Sequence, residues 1–367
     1  MMLMVTARRV LMATLTVAIA ALQTRAAASP PTPHVGPAAA DPVQPGRAAI
    51  DAALDVLYPK VLDHRWAILP GPGEIAPPLT EVVAYRSLNP TPHWHYITYG
   101  LSGMGAPGAS LSRVSGHSGF GIELTLRLAD RSNTPPTWPI NFLRWIAAYV
   151  RRDKHPPGDG HSMPLMDHML DERSPGVAGV AFTVDRELGM VKTDNGSLTF
   201  LQVVPLTADE HALIERWDAV KLLQELELVD PKLLWHVGPT SILRGPRGAE
   251  IARQAARDGS SMELEFDLLS WDDHTVVLDS TSRRGMVNFL RYRVAYGRTA
   301  RIQSTDKSMT IRPGRVGLQL DREHAVLSVP AARATALADQ LEHATSNTVV
   351  TFDGAPLFRM GDLEKPN

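Results

Sequence analysis

Apolar and polar residues alternate with a period of two over residues 119–128. Phe120, Ile122, Leu124, Leu126 and Leu128 fall on one side of an extended backbone, Glu123, Thr125 and Arg127 on the other. That pattern predicts a strand whose first face is buried and whose second face points away from the core. Upstream, residues 93–99 read His-Trp-His-Tyr-Ile-Thr-Tyr. Aromatic and β-branched side chains favour a pleated backbone, so this too reads as a strand. His93, His95, Ile97 and Tyr99 share one face; Trp94, Tyr96 and Thr98 share the other. Neither face is purely apolar, which leaves two readings: a core that satisfies polar groups, or the lining of a cleft.

The period changes to 3.6 after Pro136. Ile140, Leu143, Ile146, Ala147 and Val150 recur on one helical face, with Thr137 suited to the N-cap and Pro139 to the first turn. Ile50, Leu54 and Leu57 give a shorter helix that Pro59 ends. Residues 66–78 read as loop, 79–85 and 177–184 as short strands. Asn195-Gly196 between residues 190–192 and 198–204 predicts a hairpin. Thr207-Ala208-Asp209-Glu210 matches a capping box, opening helical pattern that runs to about Val229, before Asp230-Pro231. Residues 102–118, rich in Gly and Ser, predict a mobile loop. Beyond residue 261, strands are predicted at 262–268, 287–296, 317–320 and 326–329, a helix at 331–345 and a last strand at 348–352. No parallel crossover is evident, so the fold class is α+β: two domains, each a mixed or antiparallel sheet with packed helices.

Length supports that division, because 367 residues exceed one ordinary domain. Residues 1–28 form a candidate signal peptide: Arg8-Arg9, an apolar run from Val10 to Leu22, then Ala26-Ala27-Ala28. The run is too short for a membrane anchor, so the mature chain is expected to have no membrane span. Residues 29–45, with six prolines, read as a Pro-rich linker. The first domain is expected at 46–237, a linker at 238–260 and the second domain at 261–367. A formal net charge of -2 offers no electrostatic footprint for nucleic acid. The absence of cysteine removes disulfides, thiolate metal sites and cysteine nucleophiles.

Four constellations could carry chemistry. His93 and His95 share a strand face, and Glu123 on a partner strand could complete a metal set, but residues 97–102 supply no acid. His155, Asp159 and His161 lie in a Pro/Gly-rich stretch, and Asp272-Asp273-His274 reads as a turn. Ser115-Gly116-His117-Ser118-Gly119 leads into a strand rather than a helix, unlike a nucleophile elbow. No nucleophile has a base at useful spacing. The expectation is therefore no catalytic residue, no metal and no cofactor.

The runs His93-Trp94-His95-Tyr96, Gly119-Phe120-Gly121-Ile122-Glu123-Leu124-Thr125 and Pro136-Thr137-Trp138-Pro139 resemble the suppressor of fused family. Ala49-Ile50-Asp51-Ala52-Ala53-Leu54, Tyr58-Pro59 and Phe200-Leu201-Gln202-Val203-Val204 extend the resemblance over residues 46–243. It implies a non-enzymatic protein that clamps an extended partner peptide between two domains by strand addition. In animal members the partner is a Gli-type transcription factor; bacterial members resemble immunity proteins that neutralise a cognate toxin. The acidic contact residue of animal members is replaced here by Ser115, and the tyrosine they carry after Gly-Leu-Ser is missing near Gly105. A toxin domain is therefore the expected partner. The expected partner-binding residues are His93, His95, Tyr96, Tyr99, Ser115, Glu123 and Trp138. The resemblance places the protein in the cytoplasm, whereas the leader would export it.

Overall fold

The computed structural model describes residues 46–361 except 60–62, 72–73, 75, 104–115, 166–168, 171–173, 262–263, 266–269 and 305. The signal-like segment and the Pro-rich linker lie outside the described residues. The chain divides into two compact units. One comprises the described parts of Ala27–Ala208 and Leu223–Ser241, the other those of Asp209–Leu222 and Ile242–Asn367.

The first unit opens with helix α1 (Arg47–Leu57), followed by β1 (Asp63–Ala67), β2 (Glu81–Ser87), β3 (His93–Tyr99) and β4 (His117–Ala129). Helix α2 (Trp138–Asp153) leads to β5 (Ser162–Pro164), β6 (Gly179–Val184) and the hairpin β7 (Met190–Thr193) and β8 (Gly196–Leu206). These strands make one sheet in the order β1-β2-β3-β4-β8-β6-β5, with β7 beside β8. Only the β4–β8 pairing is parallel, so the sheet is mixed, as expected. β1 occupies part of the stretch read as loop. Its residues carry no period-two pattern; pairing with β2 makes it a strand.

Both faces of this sheet are covered. Ile50 and Leu54 of α1 pack with Tyr58, Val83, Tyr85, Ile97, Tyr99 and Phe200. On the other face Trp66 stacks on Tyr96, and the Tyr96 hydroxyl donates to Pro136 O at 2.6 Å, just ahead of α2. Every residue of β3 is buried. Glu123, Thr125 and Arg127 are buried too, which corrects the expectation that they point away from the core. Thr137 makes no side-chain cap on α2; Pro in the first turn starts that helix without one.

The second unit begins with α3 (Ala208–Arg216) and the start of α4 (Ala219–Val229), then a short 3-10 turn (Ile242–Arg244) and α5 (Gly248–Asp258). The segment expected to be a linker thus holds a helix with Ile251 and Ala255 buried. Glu210 accepts from Ile242 N at 2.8 Å, and Trp217 and Lys221 both donate to Asp258 at 3.2 and 2.7 Å. Gly and Pro mark where a chain can bend; these contacts decide which unit a helix joins.

The remaining elements are β9 (Leu264–Glu265), β10 (Ser270–Trp271), β11 (Val276–Leu278), α6 (Ser280–Tyr292), β12 (Ala300–Gln303), β13 (Ser308–Pro313), β14 (Gly317–Leu320), β15 (His324–Val329), α7 (Ala331–Glu342), β16 (Val349–Phe352) and β17 (Ala355–Met360). They form a four-stranded sheet, β10-β11-β17-β16, and a five-stranded one, β14-β15-β13-β12-β9. The strand expected at 287–296 is the second half of α6 and a 3-10 turn. Asp279 caps that helix by accepting from Ser282 N at 2.7 Å. Of the strand expected at 262–268, only β9 falls within the described residues. β17, not residues 348–352, is the last strand.

Candidate functional site

The side chains singled out from the sequence meet around β3. Cross-strand register places His95 opposite Arg127, Ile97 opposite Thr125, and Thr125 opposite Gln202. Side chains directly opposite share a face, so three strands deliver polar groups to one buried spot. The turn after β6 brings Asp185 there.

Arg127 grips this carboxylate with both terminal nitrogens, each 3.0 Å from one oxygen. The same guanidinium donates to Gln202 Oε1 at 2.6 Å and to Glu187 Oε2 at 2.8 Å. Asp185 also accepts from Thr125 Oγ1 at 2.8 Å and from the backbone N–H groups of Glu187 and Leu188 at 2.9 and 3.1 Å. Burial alone would raise the Asp185 carboxyl, but His95, Arg127 and these donors hold it well below the usual carboxylate range. His95 Nδ1 lies 2.8 Å from the Tyr58 hydroxyl. Its Nε2 is 3.3 Å from Asp185 Oδ2, close enough for electrostatics though poorly aligned as a hydrogen bond. Burial, then the neighbouring Arg127 cation, lower His95 to about 4. The ring is therefore neutral at neutral pH.

A second cluster sits where β3 ends. Glu123, fully buried, accepts from Gly100 N at 2.9 Å, Ser102 N at 2.8 Å, Ser102 Oγ at 2.6 Å and Thr98 Oγ1 at 2.6 Å. Burial raises its carboxyl; the four donors pull the other way. Ser118 Oγ donates to Ser102 O at 2.8 Å, and Phe120 N to Leu101 O at 2.9 Å. Gly119 permits that approach: at φ 56° an added Cβ would stand 2.4 Å from Leu101 O. Glu123 thus ties the two stems that flank residues 104–115.

Tyr99 is also interior. Its hydroxyl donates to Asp51 at 2.7 Å, while Arg47 bridges Asp51 and Glu81. His93 is buried with Nδ1 2.7 Å from Thr91 O. Trp138 is half-buried and meets Trp235 edge-on at 5.3 Å. Trp235 is itself buried, bonded to Ser174 and bridged to Leu128. Ser115 lies outside the described residues. Five of the seven expected contact residues, His93, His95, Tyr96, Tyr99 and Glu123, are therefore interior supports rather than an open binding surface. The physical reason is that α1 and α2 cover the two faces of β3. β3 also has β2 and β4 on its two edges, so no peptide can join it as a strand.

The other constellations do not assemble. His155 is exposed, and Asp159 accepts from Thr183 Oγ1 and Val184 N at 3.0 and 3.3 Å. Asp272 closes the turn read from the sequence by accepting from His274 N and Thr275 N. Among the described residues no group of three or more His, Asp or Glu is placed to hold a metal ion. No described helix is long and apolar enough to cross a membrane. Sequence reasoning missed Asp185, Gln202 and Tyr58 as members of the network, and Trp235 as the partner of Trp138. Arg127 was legible in the strand, but nothing local announces the residue it pairs with.

Residues 77–238 match the family model described as suppressor of fused protein (SUFU). The mouse and human suppressor of fused homologs are each 30% identical over 217 residues, covering 53% of this chain and 44% of theirs. The match thus spans less than half the length of those relatives. The crystal structure of Drosophila suppressor of fused superposes with a TM-score of 0.68 at 17% identity, covering 88% of this chain and 98% of that one. That likeness carries the fold.

Proposed function

We propose that this chain, whose residues 77–238 are a suppressor of fused domain, binds and sequesters a protein partner without catalysing a reaction on it. The observation that carries the reading is the use made of the polar cluster under that domain's sheet. Asp185 and Arg127 bond each other and neighbouring side chains, and Glu123 bonds Thr98, Ser102 and the backbone of Gly100, as a rigid scaffold requires. A scaffold of this kind displays loops, and binding residues concentrate on loops held by rigid elements.

The contact then moves from the face of β3 to the end of the sheet. Glu123 fixes the stems of residues 104–115 there, and Ser115 stands where the family resemblance puts an acidic contact residue. An extended partner segment entering at this end would pair along a free sheet edge, because both edges of β3 are occupied. A toxin domain is the partner class the resemblance to bacterial members favours. A transcription factor held inactive is the alternative within the same binding chemistry. The cytoplasm is the setting the resemblance implies.

The test is calorimetric titration of the full chain with the protein encoded beside it, paired with growth rescue in cells that express that protein. A stoichiometric complex that relieves toxicity is expected, with affinity altered at least about tenfold by Ser115→Asp. Absence of a complex, or rescue that persists without one, overturns the sequestration reading.

A further inference from the structure

The five-stranded sheet of the second unit turns one face to solvent. Ala300, Ile302, Met309, Ile311, Ala325 and Leu327 alternate into the core. The opposite face carries Arg301, Gln303, Arg312 and Gln319, all exposed, with Thr310 and Ser328 half-buried among them. None of the outward positions on β12, β13, β14 and β15 is Asp or Glu.

Cross-strand register sets Arg301 opposite Thr310, and Arg312 two positions further along β13, opposite Ser328. The two arginines are diagonal neighbours, with Cα atoms about 7–8 Å apart. Arg312 Nε donates to Ser328 Oγ at 3.3 Å. Among the described residues neither arginine pairs with a carboxylate. Elsewhere in this unit exposed arginines do: Arg253 with Glu250 at 2.6 Å, Arg284 with Glu215 at 2.7 Å and Arg359 with Asp272 at 3.2 Å. The register pairs Glu265 with Gln303, not with either arginine. Like charges held on adjacent strands repel, and an anion laid across both removes that cost.

We propose that this face docks an acidic segment of a partner protein, which lies across the sheet with its carboxylates on Arg301 and Arg312. Side chains two residues apart on an extended chain are about 7 Å apart, close to the spacing of the two arginines. A guanidinium fork takes a carboxylate bidentately, and Thr310 and Gln303 can donate beside it. The contact is made by side chains over the sheet and uses no strand edge. The site lies outside residues 77–238 and stands independently of the reading above.

Other anions fit less well. Phosphate sites draw on backbone N–H groups in a nest or at a helix end, and a sheet face presents neither. The bases of a single strand need aromatic side chains to stack on, and the outward positions of β12 to β15 have none. A lipid surface needs apolar side chains to insert. Val326 is the only large apolar side chain among those positions, and it is half-buried.

The probe is acetyl-Ser-Glu-Ser-Glu-Ser-Glu-Ser-amide, titrated against the full chain while the arginine Nε–H signals are followed by NMR. Saturable shifts of the Arg301 and Arg312 signals are expected, with affinity falling severalfold between about 50 and 300 mM salt. The same peptide with Gln for each Glu should not saturate. Arg301→Gln and Arg312→Gln are each expected to weaken binding at least about threefold, and Arg301→Glu with Arg312→Glu at least about thirtyfold. Both arginines are exposed, so circular dichroism should show every variant folded. No saturation up to about 5 mM peptide, equal binding of the Gln peptide, or unchanged affinity in the double variant overturns the proposal. If a thymidine decamer, phosphatidylserine vesicles or inorganic phosphate shifts these signals and the peptide does not, the face serves another anion and the proposal fails.

Discussion

Arg127 in the first unit and Ile311 in the second are equally hidden from water, 1% and 0% exposed, yet their surroundings differ in kind. Ile311 belongs to a buried cluster with Val276, Leu278, Met286, Phe289, Leu290, Ile302, Leu327, Leu337 and Phe358, and no charged residue belongs to it. Around Arg127 lie Asp185, Glu187, Gln202, Thr125 and His95. An apolar interior tolerates small changes of shape, because its cohesion is non-directional. A buried ionic network requires each partner at its distance and angle, since a single loss leaves a charge unpaired in low dielectric. The second arrangement adds little stability over an apolar one of equal volume. What it fixes here is the relative position of β3, β4, β8 and the turn after β6.

The largest test of that contrast is Arg127→Leu, which strands Asp185 and should cost about 4 kcal/mol in urea unfolding. Adding Asp185→Leu should recover most of this, because no buried charge is then left alone. A double variant as unstable as the sum of its parts would show that the network does more than balance its own charges.

The pH dependence of stability is the next test. His95 is lowered to about 4 in the folded chain, so between pH 6.5 and 4 the unfolded chain binds the extra proton. Its contribution is present above pH 6.5 and lost as pH falls toward 4, on the order of 3 kcal/mol. Unfolding free energies measured across that range should fall, and His95→Gln should flatten the difference.

Glu123 has the opposite sign. Its folded carboxyl is raised, so its contribution favours folding at low pH and fades as pH rises through its folded value. Glu123→Gln keeps the three bonds on Oε1 but costs Thr98 its acceptor, a loss of about 2 kcal/mol for a bond to a charged group. Thermal melts should show it. Faster exchange at the Gly100 and Ser102 amides would place the loss at the stems of residues 104–115.

The smallest effect belongs to the apolar unit. Ile311→Val should cost about 1 kcal/mol and leave the fold unchanged, as the methyl it removes has no directional partner. A loss as large as that of Arg127→Leu would erase the contrast between the two interiors. Tyr99→Ala, at one of the expected contact residues, removes a buried ring and the partner of Asp51. It would therefore report on folding rather than on binding.

Local pattern determined much of this protein. The alternation in β4, the aromatic strand β3, the periodic helices α1 and α2 and the Asn195-Gly196 hairpin all follow from forces acting within a few residues. So did the resemblance that points to the family, since it rides on those same runs. Tertiary structure alone decided what the polar face of β3 and β4 meets. Alternation shows that Thr125 and Arg127 oppose Leu124 and Leu126, but it reads as a solvated face unless something covers it. Tyr58 and α1 supply that cover, and Asp185, some sixty residues downstream of Arg127, supplies the counter-charge. α6 makes the same point differently. Val287, Phe289 and Val294 suit a strand by composition, yet Met286, Val287, Phe289 and Leu290 on the helix, and Val294 on the 3-10 turn after it, are buried in the second core. Propensity is a difference of less than about 1 kcal/mol per residue, and burial of several such side chains outweighs it.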